Sequence, residues 1–256
     1  MPDSPLVTII TVVYNSEHLI EKTICSVINQ TCSDYEYIIV DGGSKDNTVA
    51  IIRRYEESIS KWISEPDQGI YDAMNKGLRM AAGKYVWFIN SGDIIYDSYV
   101  IEKLRDFSLS KDPDVMYGDT MLIKESGTPL GLRSVQTTRK LPESLRFKSM
   151  INGMVVSHQS FIPKIGLTGE YNLIYKCSAD LDWVIRCLGK AETILNTQMT
   201  LSAYLIGGYS GNNQKVSWKE RWDIYIRYYG PIATLWAHLR IIGRNVLHMI
   251  SGKRNY

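Results

Sequence analysis

Apolar and polar positions along the first hundred residues fall into two alternating regimes. The runs Leu6 to Tyr14 and Tyr37 to Val40 are continuously apolar and rich in β-branched residues. Such runs predict parallel strands buried on both faces. Lys61-Trp62-Ile63-Ser64 and Tyr85 to Ile89 predict a third, short strand and a fourth. Between them the period lengthens to that of a helix. Asn15-Ser16 caps a helix over about Glu17 to Asn29, with Ile20, Ile24, Val27 and Ile28 as its inner stripe. A second helix begins near Asn47-Thr48, and a third covers Ile70 to Ala81 and ends at Ala82-Gly83. The order β-α-β-α-β-α-β with short connections predicts a doubly wound, mainly parallel α/β sheet.

After residue 100 the pattern loosens. Asp114 to Asp119 opens a part made of strand-like pieces and longer loops, Leu181 to Gly189 reads as a helix, and from Trp218 onward the chain is helical and rich in aromatic residues. In that last stretch Ile232, Leu235, Trp236, Leu239, Ile242, Val246, Leu247 and Ile250 share one side of a helix. His238, Arg240, Arg244, Asn245 and His248 share the other, with Ile241 intruding. The apolar stripe either packs on the protein's own core or lies in a membrane interface, with basic residues on anionic lipid.

Composition narrows the classes. The 256 residues are 45% hydrophobic and 22% charged, which suits one large domain with a sizeable core. The net charge of +2 gives no general nucleic-acid signal, so none is expected as a partner. The charge is unevenly spread. Residues 214–256 hold 8 Lys+Arg and 2 Asp+Glu, leaving 21 and 25 for the rest, so a body of −4 carries a tail of +6. Cys25, Cys32, Cys177 and Cys187 show no zinc or redox spacing and read as free thiols in a reducing cytoplasm. Pro2-Asp3-Ser4-Pro5 leads into a strand without a signal segment, and no apolar run reaches the length of a bilayer.

The candidate chemistry sits at strand ends. Asp41-Gly42-Gly43-Ser44 follows the second strand and Asn90-Ser91-Gly92-Asp93 the fourth, so both acids should meet at the edge where open α/β sheets bind ligands. Asp41 can accept from a base or a sugar hydroxyl. Asp93, beside small residues, suits a divalent cation bridging to phosphate. For each, the structural alternative is a turn with a capping acid. Glu65 to Gly77 is unusually polar. Either Asp67 caps a helix with a solvated face, or Asn75 and Lys76 reach a base, a ribose or a diphosphate.

In this order and at these spacings the motifs resemble the inverting glycosyltransferase family 2, with a GT-A fold and nucleotide-diphosphate-sugar donors. The resemblance is strong over about residues 5–100 and weaker over 150–210. Thr11-Val12-Val13-Tyr14-Asn15 is similar to the family's first strand, whose Tyr-Asn end lines the base pocket, and Asp41 matches the acid that reads the base, usually uracil. Ala73-Met74-Asn75-Lys76-Gly77 stands where the family often has Ala-Arg-Asn-x-Gly, with Met74 in place of the arginine. Asn90-Ser91-Gly92-Asp93 stands where it often has Asp-x-Asp-Asp, with only the last acid kept. The resemblance implies a donor-binding set of Thr11, Tyr14, Asn15, Asp41, Asp67, Asn75, Lys76, Gly77 and Asn90, and Asp93 as ligand to Mn2+ or Mg2+. An inverting transfer needs a base for the acceptor hydroxyl. In Ser178-Ala179-Asp180-Leu181-Asp182-Trp183, Asp180 takes that position and Asp182 is the runner-up, unless both acids only cap the helix. Trp183 reads as an acceptor platform or a core tryptophan, His158 as an acceptor or diphosphate contact or a structural histidine, and Gly207-Gly208-Tyr209-Ser210 as a loop closing on the donor.

The organisation that follows is a catalytic domain over 1–212, with 1–100 on the donor side and 101–212 on the acceptor side, and a basic amphipathic tail over 213–256. The expected reaction moves a hexose or its derivative from a UDP-sugar to a sugar hydroxyl, on a lipid-linked acceptor in surface polysaccharide assembly. The place is the cytoplasm or the inner face of the membrane, with residues 230–254 touching lipid. A nucleotidyltransferase should carry a Gly-rich basic loop after the first strand, where Tyr14-Asn15-Ser16-Glu17 stands instead. A non-catalytic sugar-nucleotide binder is the third reading.

Overall fold

The computed structural model describes residues 4–207 and 214–250. Four parallel strands, β1 (Val7–Val13), β2 (Tyr35–Asp41), β3 (Lys61–Ser64) and β4 (Tyr85–Phe88), lie in the order β3-β2-β1-β4. They are joined by α1 (Ile20–Ile28), α2 (Thr48–Arg54) and α3 (Ile70–Met80). The continuous apolar runs have the predicted cause. Alternate residues of one strand enter different cores: Ile10, Val12, Ile38 and Val40 join Tyr71 and Met74 of α3, whereas Ile9, Val13, Tyr37 and Ile39 join Ile20, Ile24 and Val27 of α1. The contact of α3 with β1 is close. A Cβ at Gly77 would stand 2.5 Å from Ile10 Cγ2, so only glycine fits there.

After β5 (Ile94–Ile95) and α4 (Val100–Lys111) comes a mixed sheet of β5, β6 (Val115–Ile123), β7 (Pro129–Leu132), β8 (Phe161–Pro163) and β9 (Ile194–Leu205), in the order β5-β9-β6-β7 with β8 also on β6. β6 and β9 run parallel and the other pairs antiparallel. One-turn α5 (Arg133–Gln136) follows β7, and α6 (Ala179–Lys190) precedes β9.

Two helices close the described chain, α7 (Gln214–Tyr229) and α8 (Pro231–Ile250). α7 is part of the body: Ile224 and Tyr225 are buried in the core beneath α6. The predicted apolar stripe of α8 does not pack on that core. Ile232, Leu235, Trp236, Leu239, Ile242 and Val246 are between 43% and 75% exposed. Thr234, Ala237 and His238 are buried instead, with Trp222 and Tyr225 of α7 against the His238 ring at 4.7 and 5.5 Å. The helix thus presents small and polar residues inward and its greasy side outward. The side chains of Asn245, Leu247, His248 and Ile250, the loop residues Gly208, Tyr209 and Ser210, and Lys253 and Arg254 lie outside what is described.

Candidate functional site

Strand register builds the crevice. Val13 pairs with Asp41 and Asp41 with Ser64, so Tyr14, Gly42 and Glu65 leave the sheet at one level. The Ser91 N–H donates to Val12 O at 3.2 Å and brings the 90–93 turn to the same edge. Tyr14 is 61% exposed there. Asn15 takes a left-handed conformation, φ 45°, and clasps the neighbouring loop: its N–H donates to Ser44 Oγ at 2.8 Å and its Oδ1 accepts from the Lys45 N–H at 2.8 Å. The bare Gly42 leaves room for the Asp67 carboxylate, which lies against it beside the Tyr14 ring. Asp67 is half-buried, and its Oδ1 accepts from the Gly69 N–H at 2.8 Å.

Several expected ligands are spent on the protein itself. Asp41 is fully buried. Its Oδ2 accepts from the Gly43 and Ser44 N–H groups at 3.1 and 3.0 Å and from Ser64 Oγ at 2.6 Å, and its Oδ1 from the Ser44 hydroxyl. It organises the turn, and Asp67 is the carboxylate left facing the crevice. Thr11 is buried in β1 and donates to Ile89 O at 2.7 Å. Asn75 is buried with both amide atoms on one backbone unit: Nδ2 donates to Tyr171 O at 3.0 Å, and Oδ1 accepts from the Tyr171 N–H at 2.6 Å. Gly77 is a packing glycine, as above. The Lys76 ammonium holds Pro66 O and Glu65 Oε1, both at 2.8 Å, and so fixes the loop that carries Asp67.

The candidates in the second half are sorted in the same way. Asp182 is buried between Arg186 Nε at 2.8 Å and the Tyr228 hydroxyl at 2.7 Å, so both its carboxylate oxygens are engaged within the protein. Asp180 is half-buried, and both its hydrogen bonds fall on Oδ1: the Leu181 N–H at 2.9 Å and the Tyr71 hydroxyl at 3.3 Å. Burial, and then the Asp180 charge, push the Tyr71 phenol well above its usual range, so it stays a donor. Trp183 is a core residue, not a platform. It is fully buried, donates to Gly169 O at 2.9 Å and stacks on Tyr171 at 5.1 Å. His158 is buried with Nε2 at 2.7 Å from the Tyr171 hydroxyl, and burial lowers its pKa to about 4. It is a neutral part of that aromatic cluster.

Asp93 also turns inward. Its oxygens accept from Gln159 Nε2 at 2.9 Å and the Leu205 N–H at 3.0 Å, and burial raises its pKa to about 7. Among the described residues no group of three or more His, Cys, Asp or Glu side chains gathers as a metal site. What the 90–93 turn does offer is Asn90 Oδ1, buried and without a partner. One amide oxygen does not hold a divalent ion by itself, so an ion there would need further oxygen ligands from outside the protein.

Two features escaped the sequence. Glu220 of α7, buried, accepts from the Lys176 and Cys177 N–H groups at 2.6 and 2.9 Å and fixes the turn before Asp180. Arg133, Arg139, Arg221 and Arg244, drawn from a stretch of 112 residues, lie within one another's electrostatic reach. Neither carries a short motif that could have announced it.

Residues 8–164 match the sequence model of the family described as "Glycosyl transferase family 2". The chain belongs to that family. The enzyme is therefore a glycosyltransferase. It is 30% identical over 198 residues to a PGL/p-HBAD biosynthesis glycosyltransferase of Mycobacterium tuberculosis, covering 75% of this chain and 73% of that one. It is 29% identical over 226 residues to the putative teichuronic acid biosynthesis glycosyltransferase TuaG of Bacillus subtilis, covering 86% and 87%. Among solved structures, S. aureus TarS 1–349 superposes with a TM-score of 0.68 at 17% identity, over 86% of this chain and 64% of that one. TarS 1–349 was also solved in complex with UDP. The mannosyltransferase PcManGT of Pyrobaculum calidifontis, solved with GDP-Man and Mn2+, superposes with a TM-score of 0.61 at 14% identity, over 96% and 76%. These likenesses establish the GT-A fold.

Proposed function

We propose that the enzyme is an inverting transferase that moves a sugar from a UDP-sugar to a sugar hydroxyl, with Asp180 as the base. The observation that carries this is the unequal fate of the two acids at the start of α6. Asp182 is locked between Arg186 and Tyr228, whereas Asp180 keeps both its contacts on one oxygen, at the end of α6 that faces Tyr71 of the donor half. The acceptor O–H gives its proton to Asp180, the acceptor oxygen bonds to the anomeric carbon, and the bond from that carbon to the diphosphate breaks to release UDP. Tyr71 donates to Oδ1 and orients the carboxyl group. Tyr14 and Asp67, with Asn15 at the rim, form the wall for the nucleotide. Asn90 Oδ1 is the group that would help hold Mg2+ or Mn2+, whose charge would offset that of the leaving diphosphate.

The acceptor we infer is a saccharide on a lipid carrier, in assembly of a surface glycan at the inner face of the membrane. The relatives named for PGL/p-HBAD and teichuronic acid biosynthesis support a glycan product. The six exposed apolar side chains on α8 and the +6 charge of residues 214–256 support peripheral lipid contact. Among the described residues no helix is long and apolar enough to cross a membrane. A thermal-shift panel of nucleotide sugars, with and without Mn2+, tests the donor. Stabilisation by UDP compounds above GDP, ADP and CDP compounds is expected, and no response to any UDP compound overturns the assignment.

A further inference from the structure

Two arginines bind the segment 152–155, and two more lie in their electrostatic field. Arg133 of α5 is buried and donates to Met154 O at 2.5 Å and Val155 O at 3.4 Å. Arg244 of α8 donates to Asn152 O at 3.0 Å. Arg139 lies in the field of Arg133, Arg221 and Arg244, and Arg133 in that of Arg221, Asp119 and Asp180. The crowding is unfavourable without a counter-ion: burial first, then the neighbouring guanidinium groups, lower Arg139 to about 9. Among the described residues no carboxylate stands at ion-pair distance from any of the four. The nearest acids are otherwise engaged: Asp119 takes the Thr120 N–H and the backbone and hydroxyl of Ser134, and Asp180 takes Tyr71 and Leu181. Two of the cluster's donors, Arg221 Nε and Arg244 Nε, are buried with no partner at all. Buried donors are almost always satisfied, and an arginine fork is shaped for phosphate.

We propose that Arg133, Arg139, Arg221 and Arg244 form a binding site for a phosphate or diphosphate group of the acceptor. The inference rests on the lipid-linked acceptor proposed above and places that acceptor's anionic link. α8 carries Arg244 toward Asn152 and exposes Trp236 and Leu239, so the helix that would meet lipid also supplies one of the four arginines. The donor diphosphate is the other source of the same chemistry, and the two make different predictions. On this reading the arginines hold an anion independently of the nucleotide wall at Tyr14 and Asp67.

The test is calorimetric titration of the full chain with inorganic pyrophosphate and, separately, with UDP, both in EDTA. Wild type binds pyrophosphate. Arg139→Gln and Arg221→Gln each weaken it about tenfold or more, a loss of about 1.4 kcal/mol or more, and Arg139→Lys, which keeps the charge, weakens it less. UDP affinity stays within about twofold in those variants and falls in Tyr14→Ala, which leaves pyrophosphate unaffected. Unfolding midpoints of each variant separate misfolding from lost binding. No pyrophosphate binding by wild type overturns the site, and competition between pyrophosphate and UDP moves it to the donor and overturns the acceptor assignment. Failure of UDP to bind wild type would count against the proposed donor alone, and failure of the chain to partition onto vesicles against the lipid acceptor alone.

Discussion

Replacing Asn75 with alanine separates a ligand from a clamp. The amide of Asn75 closes a two-bond ring on the Tyr171 backbone, 96 residues away, and joins α3 of the N-terminal half to the segment before α6. Alanine removes both bonds and leaves a buried N–H and a buried C=O without partners. Each orphan costs about 1–3 kcal/mol, so a total of about 3 kcal/mol is a conservative expectation. For a chain of this size, about 3 kcal/mol corresponds to a fall of about 6–12 °C in the unfolding midpoint. Asn75→Asp should be as harmful above neutral pH, because a second carboxylate oxygen would face Tyr171 O where Nδ2 now donates. The assay is thermal and urea unfolding followed by tryptophan fluorescence, since Trp183 stacks on Tyr171, together with UDP titration of the folded variant. UDP affinity should hold within about threefold. An unchanged midpoint with UDP affinity lost about tenfold would refute the clamp and restore Asn75 to the nucleotide.

Other consequences are as definite. Asp93 is raised to about 7 and His158 lowered to about 4, both by burial, and they oppose each other. Between about pH 4 and 7 the folded chain holds the Asp93 proton and the unfolded chain does not, so that group makes stability fall as pH rises; His158 makes it rise between about 4 and 6.5. The wild-type minus Asp93→Asn difference in unfolding free energy should therefore decrease from pH 4 to 7, and a flat difference contradicts the assignment. Glu220→Gln leaves one of the Lys176 and Cys177 N–H groups facing an amide donor, so turnover should fall about tenfold with UDP affinity within about twofold. Glu220→Gln kinetics equal to wild type would show that α7 does not position Asp180. Leu235→Glu with Trp236→Glu should cut partition onto anionic vesicles about tenfold or more while the midpoint moves by less than about 2 °C; unchanged partition removes α8 from the membrane.

The N-terminal half was legible because its central strands are buried on both faces. Continuous apolar runs, helical stripes and the Ala82-Gly83 stop placed β1 to β4 and α1 to α3 to within a few residues. The second half was not, because β6 pairs with β9 across some 80 residues and the loops 124–160 carry no period. The site was half legible for a related reason. Sequence shows which polar residues stand at strand ends and not which atoms they reach. Asp41, Asn75, Asp93 and Asp182 look like ligands in one dimension, and each is consumed by a partner distant in sequence or, for Asp41, by its own turn and Ser64. The same blindness hid the arginine cluster, whose members stand at 133, 139, 221 and 244 with nothing local to connect them. The tail was readable as amphipathic, yet which side faces out depends on Trp222 packing tilted and Tyr225 edge-on against His238, a contact between two helices.

The most direct test of the central claim sets Asp180→Asn beside Asp182→Asn. UDP release from a UDP-sugar, UDP affinity and unfolding midpoint are measured for each. Asp180→Asn should lose about 100-fold or more in turnover with UDP affinity and midpoint near wild type. Asp182→Asn, which breaks the buried contact with Arg186, should chiefly lose stability, by about 3 kcal/mol. Wild-type turnover in Asp180→Asn, or a stable Asp182→Asn that has lost all activity, would contradict the account.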